Sequence, residues 1–311
     1  MSGDFNALPE DLRAKLAAVG PVWSSDIAGH ARQMYEAFAP LLQAAPRVVR
    51  IDRDIAFGPH PRQVLDVYHP DDAASEPRPA LIFVHGGAFV KGDRTVSDEV
   101  YANVLHRFAR AGVVGINMEY RLAPQAPFPG GSLDVALCTA WVRMNAQALG
   151  VDPSRVFLMG HSAGGAHAAS YAYDRRWQPE GVHGLAGLIL VSGRVRADQA
   201  PDNPNAANVA AYYGSNPRAL EDASAVNHVG PDSPPTLIAY GGYENPLLDV
   251  YALELGHRLG LARRRAPRMV VLPEHNHSSI IAHINTGDDR LAREMLAFIA
   301  DPTRYSLMIS E

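Results

Sequence analysis

A serine flanked by glycines stands in the sequence GHSAGG at residues 160–165. An apolar run precedes it and an Ala-rich segment follows it, which predicts a strand, a sharp turn and a helix with Ser162 at the turn. Such a turn strains its apex, so its neighbours must be almost without side chains, and Gly160 and Gly164 meet that need. The pattern is typical of a nucleophile elbow, which exposes a serine hydroxyl at the edge of a sheet. The alternative is that small residues merely let a helix pack closely on a strand.

A second glycine-rich segment, HGGAF at residues 85–89, follows the apolar run 80–84 directly. Adjacent glycines after a buried strand let backbone N–H groups point into a cleft, where they can stabilise a developing oxyanion. The expected donors are the N–H of Gly86 or Gly87 and the N–H of Ala163, the residue after the serine. The alternative, a glycine turn with no partner, is weakened by the elbow that follows some 75 residues later.

A serine hydroxyl needs a base, and in proteins with this elbow the acid and then the histidine follow the serine along the chain. The predicted strand 236–240 runs into a loop that carries Glu244, which is therefore the expected acid. Asp249 is the rival, but it lies about one turn into the next predicted helix, where it would be solvated.

The expected base is His277, which follows the predicted strand 268–272 and precedes a helix, with His275 as its competitor. Ser162 would attack a carbonyl, His277 would take and return its proton, and Glu244 would orient the imidazole. Two further histidines, at 161 and 167, are expected to pack or meet solvent.

A metal site is the other use for the histidines of this segment. The group comprises Glu274, His275, His277 and His283, and its His-x-His spacing occurs at metal sites. No second ligand cluster stands elsewhere in the sequence, and a serine mechanism uses His277 better. We therefore predict no metal and no cofactor.

Composition limits the class of protein. The chain has 311 residues, 47% of them hydrophobic and 20% charged, which suits one large α/β domain with a full core. Net charge is −5, and the basic cluster 263–265 is explained by a helix end, so no nucleic-acid partner is expected. One cysteine excludes an intrachain disulfide. With no apolar leader and no stretch of about 18 apolar residues, a cytoplasmic protein that spans no membrane is expected.

The order of predicted elements indicates the fold. Residues 1–45 predict two amphipathic helices that form a cap or a dimer contact, and we favour the cap. A catalytic domain, 46–311, opens with a hairpin of 48–57 and 64–68, and residues 194–231 form a cap insertion. Alternating elements predict a mostly parallel sheet of about eight strands, covered on both faces. The later predicted strands are 112–117, 155–159, 185–191, 236–240 and 268–272, and the helices are 97–111, 132–149, 164–174, 247–262 and 287–300.

From about residue 48 to 300 the chain resembles the α/β-hydrolase fold, near the hormone-sensitive-lipase-like esterases and the kynurenine-formamidase-like (BD-FAE-like) enzymes. HGGAF is similar to the family's oxyanion loop and GHSAGG to its elbow. The segment 120–124 with Phe128 and Pro129 looks like the stretch behind that loop, and 276–278 looks like the histidine segment. The chain departs from the lipase-like branch at three positions, His161, Asn245 and Ala88, and the first two are closer to the formamidase-like branch.

The resemblance implies a serine hydrolase of carboxylic esters that works through an acyl-enzyme. The N-terminal helices and residues 194–231 are expected to roof its pocket, and a roof of this size with few exposed apolar runs favours small, short-acyl substrates. Phe89 and Val90, just past the oxyanion loop, are expected to line the substrate pocket. An arylformamidase or amide hydrolase would use the same three residues. A third alternative, from another class, is a ligand-binding protein on this fold that has lost catalysis. The family's habit also suggests a homodimer.

Overall fold

The computed structural model describes residues 4–72, 75–97, 99–179 and 184–304 of the chain. Its centre is one eight-stranded sheet. In chain order the strands are β1 (Ile51–Ala56), β2 (Val64–Tyr68), β3 (Arg78–Val84), β4 (Val114–Met118), β5 (Val151–His161), β6 (Gly187–Val191), β7 (Thr236–Tyr243) and β8 (Arg268–Asn276). They lie side by side in the order β1-β2-β4-β3-β5-β6-β7-β8.

Strand direction follows the connections between strands. β1 and β2 form the predicted antiparallel hairpin, and β2 is also antiparallel to β4. From β4 to β8 every neighbouring pair is parallel, because helices connect these strands. The expected α/β class, with a mostly parallel sheet of about eight strands, is confirmed. Parallel strands place their carboxyl ends at one edge, and the candidate residues gather at that edge.

The helices cover both faces of this sheet, and two of them precede its first strand in the chain. In chain order they are α1 (Glu10–Val19), α2 (Ile27–Ala44), α3 (Ala102–Ala109), α4 (Gly130–Met144), α5 (Ala146–Leu149), α6 (Ala163–Tyr173), α7 (Ala206–Tyr213), α8 (Pro217–Ala223), α9 (Leu248–Arg263), α10 (Ser279–Ala282) and α11 (Arg290–Ala300). Short 3-10 helices span Phe5–Ala7, Gly20–Ser25, Arg175–Trp177 and Ala225–His228. No helix among the described residues is both long and apolar enough to cross a bilayer.

The central strand β3 shows how the two faces are filled. Leu81 and Phe83 point into a core that α1, α2, α3 and α11 share, whereas Ile82 and Val84 point into a core shared by α4, α6 and α9. All four side chains are fully buried. A strand covered on both faces needs this continuous apolar run rather than an alternating one.

The N-terminal segment packs onto the same molecule rather than standing apart. Leu16, Met34 and Phe38 are fully buried and belong to the core that covers one face of the sheet. Between α1 and α2, the indole N–H of Trp23 donates to the side-chain oxygen of Asn245 at 2.9 Å. This bond joins the segment to the loop after β7.

Candidate active site

The strand-to-helix turn between β5 and α6 carries Ser162 in a strained conformation, with φ 56° and ψ −121°. Two glycines make the turn possible. A Cβ on Gly164 would lie 2.2 Å from the carbonyl oxygen of Val84, and one on Gly160 would lie 2.5 Å from the carbonyl oxygen of Gly164. The strained conformation turns the hydroxyl of Ser162 toward a cavity at the sheet edge.

Hydrogen bonds join the serine to a histidine and a carboxylate. Nε2 of His277 lies 3.0 Å from Oγ of Ser162, and Nδ1 of His277 lies 2.6 Å from Oε2 of Glu244. The other carboxylate oxygen accepts the hydroxyl of Ser192 at 2.5 Å and the backbone N–H of Gly241 at 2.9 Å. These distances allow His277 to receive a proton from the serine while Glu244 fixes the ring's tautomer.

The rival residues are held elsewhere. Asp249 lies exposed in the first turn of α9. His275 is fully buried, with Nε2 3.2 Å from Oδ2 of Asp288 and Nδ1 3.1 Å from Oγ of Ser279. The structure thus brings Glu244 and His277 to Ser162 and does not bring Asp249 or His275 there.

The loop after β3 bends sharply beside the serine. Gly87, Ala88 and Phe89 have φ of 143°, 50° and 72° in succession. A Cβ on Gly87 would lie 1.9 Å from the carbonyl oxygen of Lys91, so only glycine fits there. The backbone N–H of Gly86 donates to the hydroxyl of Tyr101 at 3.3 Å, and this bond turns that amide to a partner within the protein.

The cavity above the serine has a volume of about 840 Å³. Helix α2 forms one wall with Ile27, Ala28 and Ala31, and the loop after β3 forms another. Four charged side chains also line it: Asp26, Arg32, Glu36 and Lys91. The segment 194–231 contributes Pro204 and Asn205. A cavity of this size is large enough to hold a small-molecule ligand.

The expectation that Phe89 and Val90 line this cavity is wrong, since neither is among its lining residues. The ring of Phe89 is only 1% exposed and stacks on Tyr212 at 4.9 Å between ring centroids, nearly parallel to it. Tyr213 meets the same ring edge-on at 5.4 Å. The backbone of Phe89 has a positive φ of 72°, and its side chain lies in this aromatic cluster rather than at the cavity wall.

The two remaining histidines near the elbow are buried. Burial lowers the pKa of His161 and of His167 to about 3, so both rings are neutral at ordinary pH. His161 bonds the hydroxyl of Tyr101 and the backbone carbonyl of His277, and His167 bonds the hydroxyl of Tyr212. Sequence reasoning missed Tyr101, since no local pattern announces a partner 60 residues away.

Potential metal ligands meet at one place among the described residues. Atoms of His275, His283 and Asp288 lie within 4.8 Å of one another, and all three residues are buried. Asp288 is already hydrogen-bonded to His275 and accepts two side-chain N–H groups of Arg290, the closer at 2.8 Å, as well as its backbone N–H at 3.2 Å. Glu274 pairs with Arg290 at 3.1 Å. These protein partners account for the carboxylate, and His277 stands outside the group.

Comparison with known proteins finds relatives in both sequence and fold. The family model BD-FAE matches residues 65–178, which include the segments HGGAF (85–89) and GHSAGG (160–165). The chain is 32% identical over 240 residues to the esterase LipC of Mycobacterium tuberculosis strain H37Rv, a match that covers 72% of this chain and 59% of LipC. The chain has the α/β-hydrolase fold and is similar to esterases that share it.

Solved structures of other α/β-hydrolases superpose on nearly the whole chain. An esterase of Pyrobaculum calidifontis is 25% identical with a TM-score of 0.70, covering 94% of this chain and 98% of that one. A bacterial heroin esterase is 24% identical with a TM-score of 0.71. The superposition covers 97% of this chain and 99% of that one, and it shows the common fold. The chain spans only part of its curated relatives. The matched segments cover 59% of LipC, 24% of lipase 2 of Moraxella sp. (strain TA144) and 32% of the esterase LipI of Mycobacterium tuberculosis.

Proposed function

We propose that the chain is a serine carboxylesterase that forms an acyl-enzyme on Ser162. The observation that carries this proposal is the continuous hydrogen bonding from Ser162 through His277 to Glu244 at the floor of an open cavity. A serine on a strained elbow, a histidine within reach of its oxygen and a carboxylate on the far ring nitrogen are the parts that acyl transfer needs.

The reaction has two halves. Oγ of Ser162 attacks the ester carbonyl while Nε2 of His277 takes its proton, and the imidazolium then protonates the departing alkoxide. Nε2 then takes a proton from a water molecule that attacks the acyl-enzyme carbonyl. The imidazolium protonates Oγ of Ser162 as the acyl–oxygen bond breaks, which releases the carboxylic acid. We assign the oxyanion hole to the N–H groups of Gly87 and Ala163, because the N–H of Gly86 already donates to Tyr101.

The substrate class follows from the cavity. Its walls combine small apolar side chains with four charged ones in about 840 Å³, which favours small, soluble, short-acyl esters. A series of p-nitrophenyl acetate, butyrate and decanoate tests this, with Ser162→Ala as the control. We expect acetate or butyrate to be cleaved fastest and the variant to be inactive. Faster cleavage of decanoate would overturn the substrate class but not the mechanism.

Arylformamide hydrolysis is the second candidate. Tyr35 lines the cavity and offers aromatic surface to an aryl substrate, and the spacing of Glu244 and Pro246 is similar to that of the formamidase-like branch. N-formylkynurenine in the same assay separates the two candidates. Turnover of this amide alone would retain the three catalytic roles and replace the substrate class.

A fluorophosphonate probe tests the nucleophile without assuming a substrate. We expect it to label the wild-type chain at Ser162 and to leave Ser162→Ala unlabelled. A folded wild-type chain that neither reacts with the probe nor cleaves any of these substrates would instead be a ligand-binding protein on the same fold.

We also propose a homodimer, which the edge strand β8 supports. Met269 and Val271 alternate along this strand with 37% and 47% of their surface exposed, and an unpaired edge can accept a strand of a second copy. Sedimentation of the wild type and of Val271→Lys tests this. A monomer at every concentration would refute it.

A further inference from the structure

A chain of hydrogen bonds runs behind the catalytic serine and joins the three loops of the site. The backbone N–H of Gly86 donates to the hydroxyl of Tyr101 at 3.3 Å. That hydroxyl lies 3.3 Å from Nδ1 of His161. Nε2 of His161 lies 3.0 Å from the backbone carbonyl oxygen of His277. Both side chains are only 2% exposed, so water competes little for these bonds.

One arrangement of protons satisfies every member of this chain. A carbonyl only accepts, so Nε2 of His161 must carry the proton that it donates to His277. Nδ1 of the neutral ring is then an acceptor, and the hydroxyl of Tyr101 donates to it. The lone pairs of Tyr101 remain free to accept the N–H of Gly86. The hydroxyl of Tyr101 and both ring nitrogens of His161 thus have partners, and a fully satisfied network of this kind rigidifies its surroundings.

Gly86 and His161 each stand next to a residue of the proposed catalytic machinery, so the network would hold that machinery rigid. Gly86 precedes Gly87, whose N–H we assign to the oxyanion hole, and His161 precedes the nucleophile. A Cβ placed on Gly86 would lie 3.0 Å from the hydroxyl of Tyr101, 3.2 Å from Nδ1 of His161 and 3.2 Å from Cβ of Ser162. The oxyanion loop therefore packs directly onto both side chains and onto the nucleophile.

The backbone of Tyr101 adds an independent observation. Its φ is 80°, which is strained for an aromatic residue. Its N–H donates to Oδ1 of Asn103 at 2.9 Å, and the amide nitrogen of Asn103 donates to the carbonyl oxygens of Ile281 and Ile284 at 2.9 and 2.8 Å. The strained residue is thus tied to the segment that follows His277.

We propose that Tyr101 and His161 are positioning residues that hold the oxyanion loop, the nucleophile and the catalytic histidine in register. Neither touches the reacting atoms of an ester; they act through Gly86, Ser162 and the backbone of His277. The inference rests on the proposed esterase function. Misplacement of catalytic groups by about 1 Å lowers rates on the order of 100-fold, so such residues affect kcat more than KM.

The molecule contains a matched control outside the active site. The hydroxyl of Tyr212 accepts the backbone N–H of Gly131 at 3.2 Å and lies 3.2 Å from Nδ1 of His167. Both side chains are 1% exposed. The same three chemical groups, a tyrosine hydroxyl, a histidine Nδ1 and a glycine N–H, therefore meet in two places, and only the first joins the loops of the site.

The test compares Tyr101→Phe with Tyr212→Phe. Both changes remove one hydroxyl and keep the ring, so we expect similar falls in Tm. With p-nitrophenyl butyrate we expect Tyr101→Phe to lower kcat about 10- to 100-fold with KM changed less than about threefold, and Tyr212→Phe to leave kcat within about twofold. The rate of fluorophosphonate inactivation should fall with kcat in the first variant only.

Changes at His161 sharpen the test. His161→Asn keeps an acceptor near Nδ1 for Tyr101, and His161→Gln keeps a donor near Nε2 for His277. Each should retain more activity than His161→Ala. The double variant Tyr101→Phe/His161→Asn should lose less than the product of the two single losses, because both changes break the same chain.

Two results would overturn the inference: kcat of Tyr101→Phe within about twofold of the wild type, or an equal loss of kcat in Tyr212→Phe. Failure of the proposed function looks different, because the wild type itself would then neither cleave ester nor react with the probe. In that case both proposals fall.

Discussion

Two sets of serine, histidine and carboxylate stand side by side at the end of β8. In the first, His277 joins Ser162 to Glu244. In the second, His275 joins Ser279 to Asp288 with distances of 3.1 and 3.2 Å. The histidines are two residues apart on one segment, yet only the first set opens onto the cavity.

The difference between the two sets lies in the serine and in access. Oγ of Ser279 accepts the backbone N–H of Asn276 at 2.8 Å, at the start of a short helix, and the residue is fully buried. Ser162 stands on a strained turn beside the cavity, and Asp288, unlike Glu244, is also paired with Arg290. Residue types alone therefore do not make a nucleophile; the backbone that presents the hydroxyl to a substrate does.

The largest expected contrast comes from the two histidines. His277→Asn should lower kcat by about 10⁵-fold, because the serine loses its base. His275→Asn should lower Tm and leave kcat within about tenfold, because its ring bonds only buried partners. Steady-state rates with p-nitrophenyl butyrate and thermal unfolding of both variants test this. A loss of kcat in His275→Asn as large as that in His277→Asn would erase the distinction.

Changes at the two carboxylates should show the same contrast in kcat, with a smaller difference than the two histidines show. Glu244→Gln keeps the shape of the side chain and removes the charge that orients and stabilises the imidazolium, so we expect kcat to fall about 10²- to 10⁴-fold. Asp288→Asn should reduce the free energy of unfolding by about 1–3 kcal/mol and kcat by much less. Urea unfolding alongside kinetics separates the effects. Equal kinetic losses would show that both carboxylates serve catalysis.

The second set, which contains Asp288, should make the free energy of unfolding depend on pH in the acid range. Burial raises the pKa of Asp288, but hydrogen bonds from His275 and Arg290 outweigh it and hold that pKa well below its usual range. A carboxyl with a depressed folded-state pKa stabilises the fold above its unfolded-state pKa of about 3.9, and this contribution is lost as pH falls below that value. Urea unfolding between pH 7 and pH 3 should thus show a smaller acid-induced loss in Asp288→Asn than in the wild type. Parallel curves would contradict this.

The smallest effect is expected where the N-terminal segment meets the acid loop. Trp23→Phe removes the N–H that donates to Asn245 and should reduce the free energy of unfolding by about 1 kcal/mol. We expect kcat to fall by only about two- to fivefold, since Glu244 keeps its bonds to Ser192 and Gly241. Unchanged stability would show that the contact contributes nothing.

Much of the fold could be predicted from sequence because its signals are local. Apolar runs identified the parallel strands, and the order of glycine motifs placed the oxyanion loop and the elbow at one sheet edge. The predicted helix 97–111 begins only at residue 102, after the strained backbone of Tyr101. That strain is held by Asn103 and its partners near residue 281, so no local pattern reports it.

The sequence named candidate residues for the site but not the hydrogen bonds that connect them. The positions of Glu244 and His277 after predicted strands indicated them as the acid and the base. His275 remained a competitor for the base, because both histidines follow the same strand. Phe89 was misassigned, since its side-chain direction depends on a positive φ that sequence does not show. Long-range bonds such as the one between Trp23 and Asn245 join positions 222 residues apart and appear only when the chain is folded.

The contact of the first helices with the loop after β7 has a consequence for how the protein is made. Helix α2 supplies one wall of the cavity, while His277 on its floor comes near the other end of the chain. Contacts of such high sequence separation carry the largest loop-closure entropy, and they need both distant segments to have been synthesised. During synthesis on the ribosome, the segment that carries Ser162 is therefore made well before His277, and the cavity can form only after both are present.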